Sequence, residues 1–304
     1  MNELLIEKIL GKPAVIFPPF IQKILEDAYD TPYMFMDIDA FNQLNDATKA
    51  KQTYWLEMLY RAHWAATSNL VRHTKWLDGC IASATFSPNF ISFCSNLRGL
   101  LESATDAYSA LGDVAETLAN ATHFIDDALA LNPNGMLATS DELEKQLIHF
   151  NFARKLEKNE TAPFEHRAKS VNDYILELDG PELPLRKLYS ELCQVVHPAF
   201  QATSWLIEGK NDSYWITKPD DISPIQNICD RYANCIEFIQ LASANTSFLI
   251  YKAINNFNCK ELHNTAAEKI NMSNNLIFQR MQLTTKLQRE SKKPHADTIF
   301  ERAQ

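Results

Sequence analysis

The run from Ala47 to about Ala84 limits what this chain can become more than any other stretch. Trp55, Met58, Leu59, Ala62, Ala66, Asn69, Leu70, His73 and Leu77 return at helical spacing and share one broad face. A helix that long buries such a face only against other elements, and the periodicity elsewhere says those elements are helices too. Glycine usage agrees, because 7 glycines in 304 residues are too few for the turns of an all-β fold or a glycine-looped nucleotide fold. The expected fold is an all-α, multi-helix bundle.

The rest of the chain divides as follows. Residues 1–46 read as an irregular N-terminal segment, with a short amphipathic opening and a break at Pro18 and Pro19. Residues 47–257 form the helical domain. Ser87 and Pro88 open a helix that runs to about Leu111, with Ser95, Gly99, Ser103 and Ala107 as a stripe of small side chains and Arg98 and Glu102 one turn apart beside it. Gly112-Asp113 punctuates the chain before a helix from Val114 to Leu131, and Asn132 to Met136 is a turn. Helices follow over Glu142 to Leu156, introduced by Ser140 and Glu144, and over about Pro163 to Leu178. Two aromatic and β-branched runs around Gly209 to Asp212 predict a β-hairpin over Trp205 to Thr217, and a long helix over Pro224 to Phe257 follows. Residues 258–304 give a last helix from about Leu262 to Gln288 and a basic tail.

A formal charge of −9 argues against broad binding to a phosphate backbone. Arg280, Lys286, Arg289, Lys292 and Lys293 nevertheless crowd the end, which suggests either a solvated helix with a frayed tail or a contact between the basic C-terminal helix and a nucleic acid or an acidic protein partner. The six cysteines are scattered without a C-x-x-C, and the opening residues lack the pattern of a secretion signal, so reduced thiols in the cytoplasm are expected. No membrane span is expected, because the longest uncharged run, Cys80 to Leu97, holds serines, asparagines and Pro88. His63 and His73 read as satisfied or surface histidines, and His123, Asp126 and Asp127 lack the further ligands a metal site needs. No cofactor or metal is expected.

Met34 to Asp46 resembles the metal-binding strand and helix start of GGDEF-type diguanylate cyclases, with Asp37, Phe41, Asn45 and Asp46 in matching places. That family also needs a glycine-glycine hairpin downstream, and this chain has no Gly-Gly pair. The segment therefore reads as a turn whose carboxylates favour a helix N-terminus.

Pro184 to Phe200 carries the candidate chemistry. Leu185, Leu188, Leu192, Val195 and Ala199 form an apolar stripe, while Arg186, Ser190, Cys193 and His197 fall on another face. Pro198 pushes His197 away from helical angles and places it at a helix end. Charged groups next to an apolar stripe need partners, so Arg98 and Glu102 are expected to face Tyr189 and His197 across packed helices.

The order of parts is similar to that of a known group: Leu97, Arg98 and Glu102 as L-R-x-x-x-E, then Tyr189, Leu192, His197 and Pro198 as Y-x-x-L-x-x-x-x-H-P, then a hairpin. It resembles uncharacterised bacterial helical proteins related to the HEPN superfamily and to abortive-infection proteins of the AbiV type. The resemblance implies a metal-independent endoribonuclease, a toxin or phage-defence effector acting on RNA, commonly as a homodimer. HEPN ribonucleases carry their Arg and His on one helix, whereas here Arg289 and His295 are the literal match and lie in the basic tail. A site in this chain would combine Arg98, Glu102, Tyr189 and His197 from two helices, with His197 as acid or base and Arg98 holding charge. The same four side chains equally suit a polar network that fixes helix register in a non-catalytic regulator or scaffold that binds a partner or ligand. The small-residue stripe adds a candidate dimer face.

Overall fold

Helix α1 (Glu3–Leu10) and helix α2 (Pro13–Ala28) open a computed structural model that describes residues 3–135, 138–197 and 200–291. The N-terminal segment is thus largely helical, contrary to the expectation from its prolines. Pro13 occupies the first turn of α2, where it is tolerated, and Pro18 and Pro19 lie inside the helix without ending it. Burial of Ile21, Ile24 and Leu25 against the core, about 1.5–3 kcal/mol each, offsets the roughly 3 kcal/mol that a proline costs in a helix interior.

The acidic residues of the next segment serve as caps. Asp37 accepts the Asp39 N–H at 2.9 Å to start the short α3 (Ile38–Asn42). Asp46 accepts the Thr48 and Lys49 N–H groups at 2.8 and 3.3 Å to start α4 (Ala47–Ile81), which runs for 35 residues. After a π-helical turn at Ala82–Phe86, α5 (Phe90–Leu111) is capped by Asn89 accepting from Ser92 N–H, rather than by Ser87.

The helix expected over 114–131 is two, α6 (Val114–Asn120) and α7 (Thr122–Leu129), parted at Ala121. Helix α8 (Asp141–Phe152) starts at the expected cap, Ser140. The helix expected over 163–178 shrinks to a 3-10 turn at Phe164–His166 and α9 (Val171–Leu176), where a capping box of Ser170 and Asp173 restarts the helix. Then come α10 (Leu185–Val196), α11 (Gln201–Ser204), strands β1 (Ile207–Lys210) and β2 (Ser213–Ile216), and α12 (Ile222–Arg231). The chain ends in α13 (Ala233–Ile254), α14 (Thr265–Glu268) and α15 (Leu276–Glu290). Tyr232 divides the helix expected over 224–257, and the asparagine caps Asn264 and Asn275 divide the last one. Met136, Ala199 and the basic residues beyond Ser291 lie outside the described residues.

The protein is an all-α bundle with one small hairpin. Strands β1 and β2 pair antiparallel from Ile207–Ile216 to Lys210–Ser213. Asn211 and Asp212, with φ of 50° and 61°, close them in the two-residue turn whose twist matches a hairpin. Trp205 anchors the ribbon, its ring meeting Phe90 edge-on at 5.5 Å. Among the described residues no helix is long and apolar enough to cross a membrane.

Two apolar clusters form the core, and α4, α5 and α13 thread both. Trp55, Leu59, Leu111 and Tyr251 belong to one; Leu77, Leu97, Leu101 and Ile239 belong to the other, with Leu185, Leu188 and Leu192 of α10. The termini close over this frame: Asn264 Nδ2 donates to Ile24 O at 2.9 Å, and Arg280 Nε pairs with Glu116 at 2.7 Å. Packing therefore does not follow the boundaries near residues 46 and 257.

A polar seam fixes α4 against α13. Asn69 Nδ2 donates to Ser243 O and Ser247 Oγ, both at 2.9 Å, in a fully buried setting. Truncation of Asn69 to Ala leaves the Ser247 hydroxyl and the Ser243 carbonyl short of a donor, and an unfolding free energy lower by about 1–3 kcal/mol is expected in urea titration. The two histidines of α4 are buried as well. His63 is buried with Nδ1 2.7 Å from Tyr33 Oη. His73 is buried, and neither ring nitrogen has a hydrogen-bond partner among the described residues. Burial pushes the pKa of each down to about 4.

Candidate functional site

Helices α5 and α10 pack along their leucines, and that contact sets the register of the polar residues beside it. Leu97, Leu100 and Leu101 on one helix and Leu188, Leu192 and Val195 on the other are buried in the same cluster. Arg98 and Glu102 emerge at the edge of this seam one turn apart, as do Tyr189, Cys193 and His197 on the facing helix. His197 ends α10 with extended angles (φ −81°, ψ 151°), the conformation that a following proline favours.

The structure brings all four sequence-predicted residues together. Arg98 Nε donates to Glu102 Oε1 at 2.7 Å. The guanidinium carbon lies 5.4 Å from the centre of the Tyr189 ring, and Nη1 lies 3.3 Å from His197 Nε2. An arginine N–H only donates, so Nε2 is the acceptor and the proton of the neutral imidazole sits on Nδ1. Burial raises the Tyr189 pKa to about 12, helped by the Cys193 hydrogen bond and the Glu102 charge, so the phenol keeps its proton. Arg98, Glu102 and Tyr189 are half-buried and His197 is exposed, which leaves the cluster open to solvent at one end.

Glu102 also lines a cleft of about 710 Å³ beside the cluster. Sequence reasoning missed this cleft, whose other polar and aromatic walls include Arg72, Trp76, Lys155, Lys169 and Tyr174. Arg72 Nη1 pairs with Asp106 at 2.7 Å and Lys169 with Glu177 at 2.7 Å, while Lys155 is exposed. His149 Nδ1 donates to Glu165 O at 3.1 Å, so its Nε2 accepts from Tyr174 O–H at 2.8 Å. Arg72 Nε and Ser103 Oγ, buried in the cleft lining, have no hydrogen-bond partner among the described residues. The interleaved basic and aromatic residues of His149 to Lys155 were the one legible sign of it.

The small-residue stripe is engaged within the chain. A Cβ on Gly99 would fall 2.7 Å from three Trp76 ring atoms, and Ser103 O accepts from Arg72 Nη2 at 3.2 Å. The stripe lets α4 approach α5, so it is not the free dimer face suggested above. In Gly99→Ala, overpacking against Trp76 outweighs the gain in helix propensity. We expect a net loss of about 1 kcal/mol and a shift in Trp76 emission as the ring is displaced from the cleft.

The remaining candidates are placed elsewhere. Arg289 Nε bonds Asp126 at 2.9 Å and Nη2 bonds Asn256 O at 2.6 Å, while His295 lies outside the described residues. With Arg280 on Glu116, two cations of the basic C-terminal helix are therefore spent within the chain. Among the described residues no group of three or more His, Cys, Asp or Glu side chains is arranged to hold a metal ion. No family model, curated protein or solved structure matches the chain.

Proposed function

We propose that the protein is a metal-independent endoribonuclease acting on single-stranded RNA, in a cytoplasmic toxin or phage-defence role. The observation that carries this reading is the 3.3 Å approach of Arg98 to His197 on two different helices, at a solvent-open seam. A cation able to grip a phosphate and an imidazole whose Nε2 can accept a proton are the two groups such cleavage requires. The cleft beside them supplies the exposed Lys155 for backbone and the exposed Trp76 for base stacking.

In this reading Arg98 turns one N–H from His197 to a non-bridging phosphate oxygen. Nε2 of His197, released from Arg98, accepts the proton of the ribose 2′-hydroxyl. The 2′-oxygen attacks phosphorus, the bond to the 5′-oxygen breaks, and the Tyr189 phenol gives that oxygen its proton. Glu102 orients Arg98. The products are a 2′,3′-cyclic phosphate and a free 5′-hydroxyl. One chain supplies all four side chains, so the chemistry does not require a homodimer.

The test is incubation of the full chain with single-stranded RNA of mixed sequence in a chelator, with His197→Ala and a 2′-deoxy substrate in parallel. Expected are cyclic-phosphate ends from the wild type alone and on RNA alone. Intact RNA with the wild type, or cleavage of the 2′-deoxy strand, would overturn it. One observation favours a second reading, a non-catalytic regulator: Arg98 is already held by Glu102, Tyr189 and His197 without any substrate. In that case His197→Ala lowers the melting temperature and no RNA is cut by either protein.

A further inference from the structure

We propose that a second cavity, separate from the Arg98–His197 cluster, is a binding site for a small organic ammonium ion carried on an apolar body. The proposal does not depend on RNA cleavage. The cavity, about 470 Å³, lies between the 31–46 segment, α4 and α8, within the size range of small-molecule sites. Met36, Ile38, Phe41, Met58, Ile148 and Phe152 make its body apolar. Ile38 is 66% exposed and Phe152 42%, so the chain leaves apolar surface uncovered at one mouth.

The wall formed by the 31–46 segment is held in place. Tyr33 Oη meets His63 Nδ1 at 2.7 Å, and the rings of Tyr33 and Phe35 stack on Trp64 with centres 6.1 and 5.8 Å away. His166 closes another side, its ring stacked on Phe152 with centres 5.9 Å apart. The cavity is therefore built by fixed contacts where it meets α4 and where α8 ends.

The charges on the lining decide the sign of the ligand. Among the described residues, two carboxylates, Glu57 and Glu144, face one guanidinium, Arg61. Arg61 is matched to Glu57: Nη2 lies 3.8 Å from Glu57 Oε2, and the guanidinium rests 4.3 Å over the Phe35 ring. The other oxygen of Glu57 accepts the Met36 N–H at 2.5 Å. Glu144 has no such cation, for it forms no ion pair with the described residues. Its Oε1 accepts the Tyr54 O–H at 2.7 Å, and Tyr54 in turn accepts the Ser140 N–H at 2.7 Å. A phenol bonded in this way orients a carboxylate without neutralising it, and Oε2 keeps its lone pairs for a ligand. The lining thus carries one uncompensated negative charge, half-buried, in walls it shares with the rings of Phe41, Tyr54 and Phe152. A carboxylate and the faces of aromatic rings both attract a cation, and the apolar body asks for a hydrocarbon behind it.

The test is calorimetric titration of the full chain at about pH 8, where an ordinary imidazole is neutral and an alkylamine is protonated. Three probes share one phenyl body: 2-phenylethylammonium, 2-phenylethanol and 3-phenylpropionate. Saturable one-to-one binding is expected of the ammonium, weaker binding of the alcohol and none of the acid. Glu144→Gln keeps an acceptor for Tyr54 and removes the charge. It should weaken ammonium binding at least about ten-fold, the value of a lost charge-assisted hydrogen bond, and leave the alcohol unchanged. Arg61→Gln acts in the opposite sense: it frees Glu57 and should tighten ammonium binding. Ile38→Lys, at an exposed position, sets a like charge at the mouth and should abolish ammonium binding, which keeps the test open if another variant fails to fold. No binding of the ammonium, equal or tighter binding of the alcohol or the acid, or unchanged ammonium affinity in any folded variant of the three would overturn the proposal.

Discussion

Lowering the pH from about 7.5 to 4 is expected to remove about 6 kcal/mol of stability through two side chains, His63 and His73. Both histidines are buried on α4, and burial holds each folded-state pKa down to about 4, against an ordinary 6.5. A lowered folded pKa means that the unfolded chain takes up the proton first. The stabilising effect of the neutral ring is complete above pH 6.5 and drains away as pH falls from 6.5 towards 4. Each shift is worth about 3 kcal/mol, and the two sum to a large part of a typical domain's 5–15 kcal/mol. Urea titrations at half-unit pH steps would show it, and a flat profile down to pH 5 would rule it out. His73→Leu separates the two contributions. Neither nitrogen of His73 has a hydrogen-bond partner among the described residues, so the variant should match or exceed the wild type at pH 7.5 and lose about half of the pH dependence.

If the protein is the proposed ribonuclease, substitution of His197 by Ala is expected to lower RNA cleavage by a factor of about 10²–10⁴, the usual contribution of a positioned acid–base group. On the proposed mechanism Arg98→Met should lose a similar amount, because that mechanism assigns Arg98 to the phosphate and its N–H sets the acceptor role of His197 Nε2. Arg98→Lys keeps the charge but not the planar fork, so an intermediate rate is expected. The cluster is half-exposed, so its removal should cost only on the order of 1 kcal/mol of stability. A variant that loses all cleavage with a melting temperature nearly unchanged supports chemistry at the cluster. A variant that melts early and cleaves normally at low temperature argues for a structural role alone.

What the residues disclosed depended on how local the signal was. Helix α10 was legible because its leucines sit on one face and Pro198 marks its end, and the meeting of Arg98 with His197 followed from two local spacings. The hairpin was legible from aromatic runs around Asn211 and Asp212. The cleft was hidden because Arg72, Lys155 and Lys169 come from three segments that only the fold joins. Breaks at Ala121 and Tyr232 carry no glycine or proline to announce them. Pro18 and Pro19 misled in the opposite sense, since the tertiary burial that rescues α2 cannot be seen in the local pattern.

The closing of α14 onto α2 has a consequence during synthesis. Asn264 reaches back across 240 residues to Ile24, and Gln240 across 230 to Leu10. A ribosome adding roughly 5–20 residues per second would take on the order of 10–50 s to cover that distance. Helix α4 can cover part of α2 early, but the faces of α1 and α2 that meet α13 and α14 stay bare through that interval. Helices α1 and α2 therefore complete their packing only after α13 and α14 are made, and their uncovered faces are exposed to aggregation for as long.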